Sequence, residues 1–431
     1  MLFFWVNHIN KVHILLGMVK VNDVEIMAPA GSWESLSAAI KAGADSVYFG
    51  VENLNMRARA ANNFKMSELK KIADLCKKHK VKSYLTLNIV LYDDEINDMK
   101  KLCDAAKKAG ITAVIAADVS AIQYANSIGL EVHISTQANV SNLEAVKFYA
   151  KYADVIVLAR ELTLDKIKNI IEEIKKQKIK GPKGELIRIE LFVHGAMCVS
   201  ISGKCYMSLA LFNHSANRGD CSQPCRRKYD VKDDAGNELQ IDNHFVMSPK
   251  DICTINFIDK LLDAGAKVLK IEGRGRSPDY VYTVVKAYKE AVTLYGKGKY
   301  DEKEQKRLLE KLESVFNRGF WHGGYYLGKK LGDWAGTAGS KTTKTKYFLG
   351  QVQNYYAKSK VFSLFIETNE VNIGDEIIIT GPTTGVVELK VEKIVLNEKE
   401  IKNASKGKLI TIPCLEKVRK NDKVYVLKKN N

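Results

Sequence analysis

Short apolar runs alternate with amphipathic stretches of helical period along most of this chain. Eight of the apolar runs have the composition and length of strands, at residues 24–28, 46–50, 83–90, 113–118, 131–136, 154–158, 188–193 and 267–271. Six helical stretches lie between them, at residues 35–42, 66–78, 94–109, 119–128, 143–152 and 164–175. This alternation predicts parallel strands that are joined by crossover helices.

Eight strands, most of them followed by a helix, predict an α/β fold of the (β/α)8 TIM-like barrel type over residues 23–298. The competing architecture is a doubly wound open sheet. About seventy residues separate the seventh strand from the eighth, which indicates a Cys-rich insertion at residues 198–264. A helical and linker segment is expected over 299–346. Short β runs at 362–367, 375–380, 386–395, 409–412 and 423–427 then predict a small C-terminal β-barrel over 347–431.

Basic residues outnumber acidic ones by 67 to 50, and the formal net charge of +17 favours a polyanionic partner such as RNA or a membrane surface. The charge is densest in the tail, where 17 basic minus 10 acidic residues give +7 over residues 341–431. An RNA-docking domain and a merely solvated Lys-rich surface explain this density equally well. No apolar run reaches the roughly eighteen residues that a membrane span needs, so no transmembrane segment is expected.

The first 22 residues lack a basic start and a small-residue cleavage site, so they are a poor export signal. Met18 directly precedes the first convincing folded segment. Residues 1–22 are therefore predicted to be disordered, or to reflect an overlong start assignment at Met1. A cytoplasmic protein with reduced thiols is the corresponding expectation.

Five of the eight cysteines fall within 56 residues of the predicted insertion, at Cys198, Cys205, Cys221, Cys225 and Cys253. A structural zinc site usually shows two close CxxC pairs, which this segment lacks, so plain zinc is disfavoured. Four thiolates at unequal spacings over a long loop suit an iron–sulfur cluster, with five candidates for four places. Unrelated loop or buried cysteines are the alternative explanation.

Several sequence blocks resemble the peptidase U32 family. Residues 190–198 (ELFVHGAMC) and 203–208 (GKCYMS) are similar to its signature. Further blocks follow in family order, namely 27–31 (MAPAG), 42–50 (AGADSVYFG), 56–59 (MRAR), 221–226 (CSQPCR), 248–251 (SPKD) and 270–274 (KIEGR). The family is named for peptidases. Its members with an assigned role include tRNA and ribosomal RNA hydroxylation proteins and hydroxylation partners in ubiquinone synthesis.

The resemblance implies a 4Fe-4S cluster, with Cys198, Cys205, Cys221 and Cys253 as its ligands and Cys225 as an alternative fourth ligand. The length and the β-rich tail most resemble the tRNA hydroxylation proteins. Those proteins install 5-hydroxyuridine at the wobble position of tRNA without molecular oxygen, with prephenate as the source of the hydroxyl group. The expected partners are therefore tRNA, prephenate or another small carboxylate, and a paralogous U32 chain.

Two other classes of function stay open at this point. A peptidase or a chaperone-like partner subunit is the first, and a pure RNA-binding module is the second. Within the hydroxylation class, a protein of the same family that acts on rRNA or another substrate is the alternative. Proteolysis needs an activated nucleophile or a metal-bound water, yet the chain has neither an HExxH nor a GxSxG motif. A pair of Cys198 and His194 is conceivable, but adjacency in sequence does not establish it.

Polar residues follow the predicted strands, where the loops of a barrel build its reactive face. Only 12 of the 67 basic residues are arginines, and eight of these fall at strand ends or in the insertion. Selective use of arginine suggests bidentate binding of carboxylates or RNA phosphates, whereas ion pairs with Glu52, Glu161 and Glu272 are the alternative. The predicted ligand-binding residues are Arg57, Arg59, Gln137, Arg160, Arg218, Arg226 and Arg274. The predicted proton-transfer residues are His194, Glu161 and Glu272.

Overall fold

The computed structural model describes residues 23–59, 62–237, 245–322, 325–328, 334–337 and 339–430, so the predicted extension at 1–22 lies outside the described residues. Ten strands form the first sheet: β1 (Glu25–Pro29), β2 (Ser46–Gly50), β3 (Lys82–Leu87), β4 (Ala113–Ala116), β5 (Glu131–Ile134), β6 (Val155–Val157), β7 (Arg188–Gly195), β8 (Asp251–Cys253), β9 (Val268–Ile271) and β10 (Phe320–His322). Strands β1 to β7 and β9 pair in parallel, and β9 pairs with both β7 and β1, so these eight strands close a barrel. The predicted TIM-like barrel is confirmed.

Helices cover the outside of the barrel, apart from the short helix at residues 207–212, which lies in the insertion. They are α1 (Trp33–Lys41), α2 (Leu69–Lys78), α3 (Ile96–Ala109), α4 (Val119–Ser127), α5 (Leu143–Tyr149), α6 (Leu164–Lys176), α7 (Met207–Phe212), α8 (Ile258–Asp263), α9 (Pro278–Gly296) and α10 (Glu302–Glu313). Helix α6 shows why they form, because Ile167, Ile170, Ile171 and Ile174 recur at helical spacing and are all buried. Side-chain caps at Ser32 and Asn142 define the starts of α1 and α5.

The insertion between the seventh and eighth barrel strands folds back against the barrel. Strand β8 pairs antiparallel with the end of β7, where His194 lies opposite Cys253, and β10 adds to β8 in parallel. These two three-residue strands were not predicted, because runs so short carry no readable periodicity. The insertion therefore remains tied to the carboxyl end of the barrel.

The barrel interior contains charged side chains as well as apolar ones. The Lys270 Nζ atom lies 2.6 Å from Glu190 Oε1, and both side chains are buried. Nearer the amino-terminal end, His133 Nε2 lies 3.2 Å from Glu131 Oε1. Such interior charges are tolerated because each one finds a partner of opposite sign or a hydrogen bond.

The carboxyl-terminal domain is built from antiparallel sheets, which confirms the predicted β-rich tail. Its strands are β11 (Lys344–Tyr356), β12 (Val361–Ile366), β13 (Glu370–Asn372), β14 (Glu376–Gly381), β15 (Gly385–Lys390), β16 (Ile394–Leu396), β17 (Lys399–Ile401), β18 (Asn403–Ser405), β19 (Leu409–Pro413) and β20 (Lys423–Lys429). Eight of them form one sheet in the order β15-β14-β20-β11-β12-β19-β16-β17, and β13 pairs with β18. Strand β11 begins inside the segment predicted as a linker, whose Lys- and Thr-rich sequence hides it.

This domain packs directly on the first helix of the barrel. Ala38 of α1 shares a buried cluster with Ile378 and Val386, and Lys41 Nζ donates to the Val386 carbonyl at 2.6 Å. Gly385 has a φ of +67°, and a Cβ there would approach the Ser37 carbonyl carbon to 2.9 Å. The two domains therefore meet on the outer wall of the barrel.

Candidate functional site

A small cavity of about 210 Å³ lies at the carboxyl end of the barrel strands. Its polar lining consists of Arg57, Gln137, Arg160, Cys198, Ser202, Cys221, Gln223, Cys225, Arg226, Glu272, Arg276 and Arg318. Three described cavities are larger. Those of about 710 and 430 Å³ lie against the carboxyl-terminal domain, that of about 650 Å³ lies at the amino-terminal end of the barrel, and none of the three is lined by a cysteine. The small cavity thus combines thiols with guanidinium groups, and we take it as the candidate site.

Loops after four different strands supply the cavity wall. Arg57 follows β2, Gln137 follows β5, Arg160 follows β6 and Glu272 follows β9. The loop after β7 closes over them at Gly203, where φ is +71° and a Cβ would lie only 2.9 Å from Gln137 Cγ. Only glycine tolerates both this backbone conformation and this approach. The predicted positions of Arg57, Gln137, Arg160, Arg226 and Glu272 at the barrel mouth thus coincide with the cavity.

Glu272 and Arg57 form the ion pair at the centre of the cavity. Arg57 Nη2 lies 3.1 Å from Glu272 Oε1, and the Tyr48 hydroxyl lies 3.4 Å from Glu272 Oε2. Burial opposes ionisation of this carboxyl, but Arg57, Arg274 and Arg160 outweigh it and hold the pKa of Glu272 below its usual value. Glu272 is therefore a carboxylate at neutral pH, able to accept a hydrogen bond or a proton but not to donate one.

Two cavity arginines differ from Arg57 in their partners. The Arg160 guanidinium lies 4.3 Å above the Phe192 ring, its Nη1 contacts Met197 Sδ at 3.9 Å, and its buried Nε has no hydrogen-bond partner. The Arg276 guanidinium lies 3.5 Å above the Phe316 ring, and burial lowers its pKa. Among the described residues, no carboxylate lies within ion-pair distance of either guanidinium. Stacking on a ring leaves the donors of a guanidinium available to an anion.

Three predicted ligand-binding arginines lie outside the cavity lining and hold loops together. Arg59 pairs with Asp220 at 2.8 Å, and Arg218 makes two hydrogen bonds, of 2.7 and 2.9 Å, to the Glu95 carboxylate. Arg274 is buried, with Nη1 2.8 Å from Asn55 Oδ1 and 3.0 Å from Thr86 Oγ1. Each of these arginines donates to an acceptor that is distant in sequence. The residues around each arginine do not reveal that acceptor.

Arg226 and Arg318 complete the wall on the side of the insertion. Arg226 Nη2 donates to the Met197 carbonyl at 2.6 Å, and its Nη1 donates to Ser248 Oγ at 2.9 Å. Arg318 Nη1 lies 3.4 Å from Asp251 Oδ1. Arg318 was not predicted as a site residue, because it follows the helical segment and lies beyond the predicted barrel. The only sequence feature that could have marked Arg318 is its position just before the aromatic residues Phe320 and Trp321.

Three of the five insertion cysteines line the cavity, and a fourth, Cys205, lies near Cys225. The three are Cys198, Cys221 and Cys225, and the backbone N–H of Cys205 donates to Asn217 Oδ1 at 3.2 Å. Burial raises the pKa of the Cys225 thiol to about 11, Arg226 opposes this, and the thiols of Cys198, Cys221 and Cys205 raise it further. The thiols of Cys198, Cys205 and Cys221 are therefore near enough to Cys225 to influence its ionisation.

Cys253 is set apart from this group. It is buried on β8, the Tyr288 hydroxyl lies 3.9 Å from its sulfur, and burial raises its pKa to about 12. Within the described ranges, no three His, Cys, Asp or Glu side chains converge on a point that would hold a single metal ion. A four-iron cluster spreads its thiolate ligands over separate corners, and the thiols at the cavity have the right chemistry for such a centre.

The remaining two proton-transfer candidates do not line the cavity. His194 is buried, with Nδ1 3.4 Å from the Tyr288 hydroxyl, and burial together with Arg276 lowers its pKa to about 3. A histidine of this pKa is neutral near pH 7, so it is a poor proton donor there. Glu161 is exposed, outside the cavity lining.

The fold and the site define a TIM-like barrel enzyme scaffold with a Cys-rich insertion at its reactive end. The model of peptidase family U32 matches residues 31–335, and the chain belongs to this family. A collagenase from Porphyromonas gingivalis is 57% identical to it and covers 94% of this chain and 98% of its own. The tRNA hydroxylation protein P1 from Bacillus subtilis is 33% identical and covers 83% of both chains. The 23S rRNA 5-hydroxycytidine C2501 synthase from Escherichia coli is 34% identical over 63% of this chain and 40% of its own.

The family confirms the resemblance inferred from the sequence blocks, and it includes relatives named for RNA hydroxylation as well as for proteolysis. No helix among the described residues is long and apolar enough to cross a lipid bilayer.

Proposed function

We propose that this protein hydroxylates RNA, with the wobble uridine of tRNA as its target, prephenate or a closely related dicarboxylate as the hydroxyl source and a 4Fe-4S cluster at the cavity. One observation carries the proposal: a single small cavity joins a cysteine group to two arginines that have no carboxylate partner among the described residues. A peptide bond offers no carboxylate pair for such arginines. A dicarboxylate does.

The cavity side chains have separable tasks in this proposal. Arg160 and Arg276 would each bind one carboxylate of the small substrate, while Glu272 stays engaged with Arg57. The Glu272 carboxylate, held ionised, would accept a proton or a hydrogen bond from the substrate at its second oxygen, which Tyr48 also approaches. A cluster bound beside them would supply Lewis-acid or electron-transfer chemistry.

The position of the thiols supports Cys198, Cys205, Cys221 and Cys225 as the ligand set, whereas the family resemblance implies Cys253 as the fourth ligand and Cys225 as its alternative. Cys253 is buried beneath the cavity with Tyr288 against its sulfur. Anaerobically purified Cys225→Ser protein should therefore lose iron and sulfide. Cys253→Ser should keep them, and Cys414→Ser in the distant tail is the matched control. Full iron content in Cys225→Ser, together with its loss in Cys253→Ser, would reverse the assignment.

The target RNA is tested by mass spectrometry of nucleosides from a strain that lacks this protein and its U32 paralogues. We expect 5-hydroxyuridine-derived nucleosides to disappear, to return with the wild-type chain and to stay absent with Cys205→Ser. Their persistence in the deletion strain would reject the tRNA assignment. Loss of an rRNA modification instead would redirect the proposal to that RNA.

Proteolysis is the second candidate, because a relative of 57% identity is named a collagenase. The residues that line the described cavity include no histidine, and Cys198 Sγ lies 3.4 Å from Ser200 Oγ rather than beside a general base. Hydrolysis of gelatin by the wild-type protein, abolished in Cys198→Ser and unaffected by metal chelation, would favour this candidate.

A further inference from the structure

Two tyrosines are exposed on loops that include or contact residues of the cavity lining. Tyr206 is 69% exposed and directly follows Cys205, and Tyr92 is 54% exposed in the connection between β3 and α3. That connection reaches the cavity through Asn88, whose Nδ2 donates to Gln137 Oε1 at 3.2 Å. An exposed tyrosine ring offers a flat apolar face on which a planar ligand group can stack.

Asn217 and Arg218 contact the segments that carry the two tyrosines. The Arg218 guanidinium lies 3.7 Å above the Tyr92 ring. Asn217 Oδ1 accepts from the Cys205 N–H at 3.2 Å, and the Asn217 carbonyl accepts from the Val90 N–H, also at 3.2 Å. We call Tyr92, Tyr206 and residues 217–218 the tyrosine rim. Because Glu95 holds Arg218 with two hydrogen bonds, the guanidinium is fixed against one face of Tyr92 and leaves the ring's other face toward solvent.

The insertion side of the tyrosine rim is cationic, whereas Tyr92 is followed by the acidic residues Asp93, Asp94 and Glu95, of which Glu95 is paired with Arg218. Residues 198–231 contain five Lys and Arg against two Asp, a balance of +3 in 34 residues. Lys204, Arg227 and Lys228 among them are exposed. Exposed aromatic rings beside cations are the combination that binds single-stranded nucleic acid, since bases stack on the rings while the cations neutralise phosphates. A duplex would not use it, because its base faces are covered by stacking.

We infer that the tyrosine rim is a stacking platform for the unpaired bases that flank the target nucleotide of an RNA loop. The inference rests on the proposed RNA substrate and adds how that substrate is presented: Tyr92 and Tyr206 each take one neighbouring base, so that the nucleotide between them faces the cavity. Selection of a loop over a helix then follows from the two rings rather than from contacts to base edges.

The test is fluorescence anisotropy of the full-length protein with a labelled, unstructured oligoribonucleotide over a series of salt concentrations. Tyr206→Ala and Tyr92→Ala should each weaken binding roughly tenfold, whereas Tyr206→Phe and Tyr92→Phe stay within about twofold. Because no charge is removed, the salt dependence should not change in these variants. In Lys204→Ala it should fall by about 0.7 in the slope of log K against log salt. Phe148→Ala on α5, an exposed aromatic away from the cavity, is the control for a general loss of surface apolarity.

Three results would overturn the inference: no RNA binding by the wild-type protein, equal affinity of the alanine variants and wild type, or an equal loss of affinity for a blunt RNA duplex. Failure of the proposed function is visible separately in the nucleoside spectra. Tyrosine-dependent binding with unchanged nucleosides in the deletion strain would keep the tyrosine rim and reject the hydroxylation. Loss of nucleosides with tyrosine-independent binding would do the reverse.

Discussion

The two ends of the barrel differ in the partners of their buried charged side chains. At the amino-terminal end, the Glu25 carboxylate is shared by Lys82 at 2.8 Å, Arg188 at 3.0 Å and the Tyr84 hydroxyl at 2.6 Å. At the carboxyl-terminal end, Arg160 stacks on a ring and keeps a buried Nε without a partner. The first arrangement has its partners within the chain, whereas the second leaves a buried donor without a partner among the described residues.

This difference predicts that the amino-terminal end mainly stabilises the fold and that the carboxyl-terminal end mainly binds a ligand. A buried charge that has all its partners resists change, because removing any one of them leaves the others desolvated and uncompensated. A guanidinium that lacks an anion is costly in the free protein, and an arriving carboxylate recovers part of that cost. We therefore expect substitutions toward the amino-terminal end to lower stability, and substitutions at the cavity to lower ligand affinity.

The largest effect is expected inside the barrel, at the pair of Glu190 and Lys270. Both side chains are buried, so Glu190→Gln should strand the Lys270 ammonium and reduce the free energy of unfolding by about 3–5 kcal/mol in urea denaturation. Glu144→Gln, which breaks the exposed pair with Lys147 on α5, is the matched control and should cost below about 1 kcal/mol. Equal losses in the two variants would show that the interior pair is no more important than a surface one.

The next effect concerns acid unfolding and the carboxylates of Glu25 and Glu131. Burial favours their neutral forms, but Lys82 and Arg188 around Glu25, and His133 and Lys183 around Glu131, hold each pKa at about 2 instead of 4.5. Since the folded pKa is the lower one, the stabilisation is fully present above about pH 4.5 and is lost as the pH falls toward 2. Each group contributes on the order of 3 kcal/mol.

Urea unfolding at a series of pH values checks this contribution. The free energy of unfolding of the wild-type protein should fall steeply over that acid window. Glu25→Gln should be less stable at neutral pH but lose less on acidification. An acid slope in Glu25→Gln as steep as that of the wild type would mean that Glu25 does not carry the effect.

The barrel was predictable from sequence and much of the cavity was not, for physical reasons that particular residues make clear. Apolar runs such as β2 are buried at every position, so their composition alone marks them as barrel strands. The predicted arginines at strand ends divided into two groups. Arg57 and Arg160 line the cavity, while Arg218 was captured by Glu95, which lies 123 residues away in sequence. Such pairings are decided by the tertiary fold, and no local pattern encodes them.

The cysteines likewise were predictable in part. Clustering of five thiols in one insertion predicted a shared centre, and Cys198, Cys221 and Cys225 do line one cavity. Spacing could not reveal that Cys253 lies on a short strand opposite His194, buried among aromatic rings. The three-residue strand that carries it has no periodicity from which its burial could be read.

The smallest predicted effect is a change in ligand affinity without a change in stability, and it tests the contrast between the two barrel ends most directly. Arg160→Lys keeps the positive charge but removes the planar fork, so binding of prephenate by the full-length protein should weaken roughly ten- to hundredfold, or by about 1.5–3 kcal/mol. Isothermal titration calorimetry measures this affinity.

The free energy of unfolding of Arg160→Lys should stay within about 0.5 kcal/mol of the wild-type value, because no carboxylate of the described residues depends on Arg160 for an ion pair. Arg59→Lys, which alters an exposed pair with Asp220 outside the cavity, should change neither quantity. If Arg160→Lys destabilised the fold and bound prephenate as tightly as the wild type does, Arg160 would be a structural residue like those of the amino-terminal end, and the contrast between the two ends would not hold.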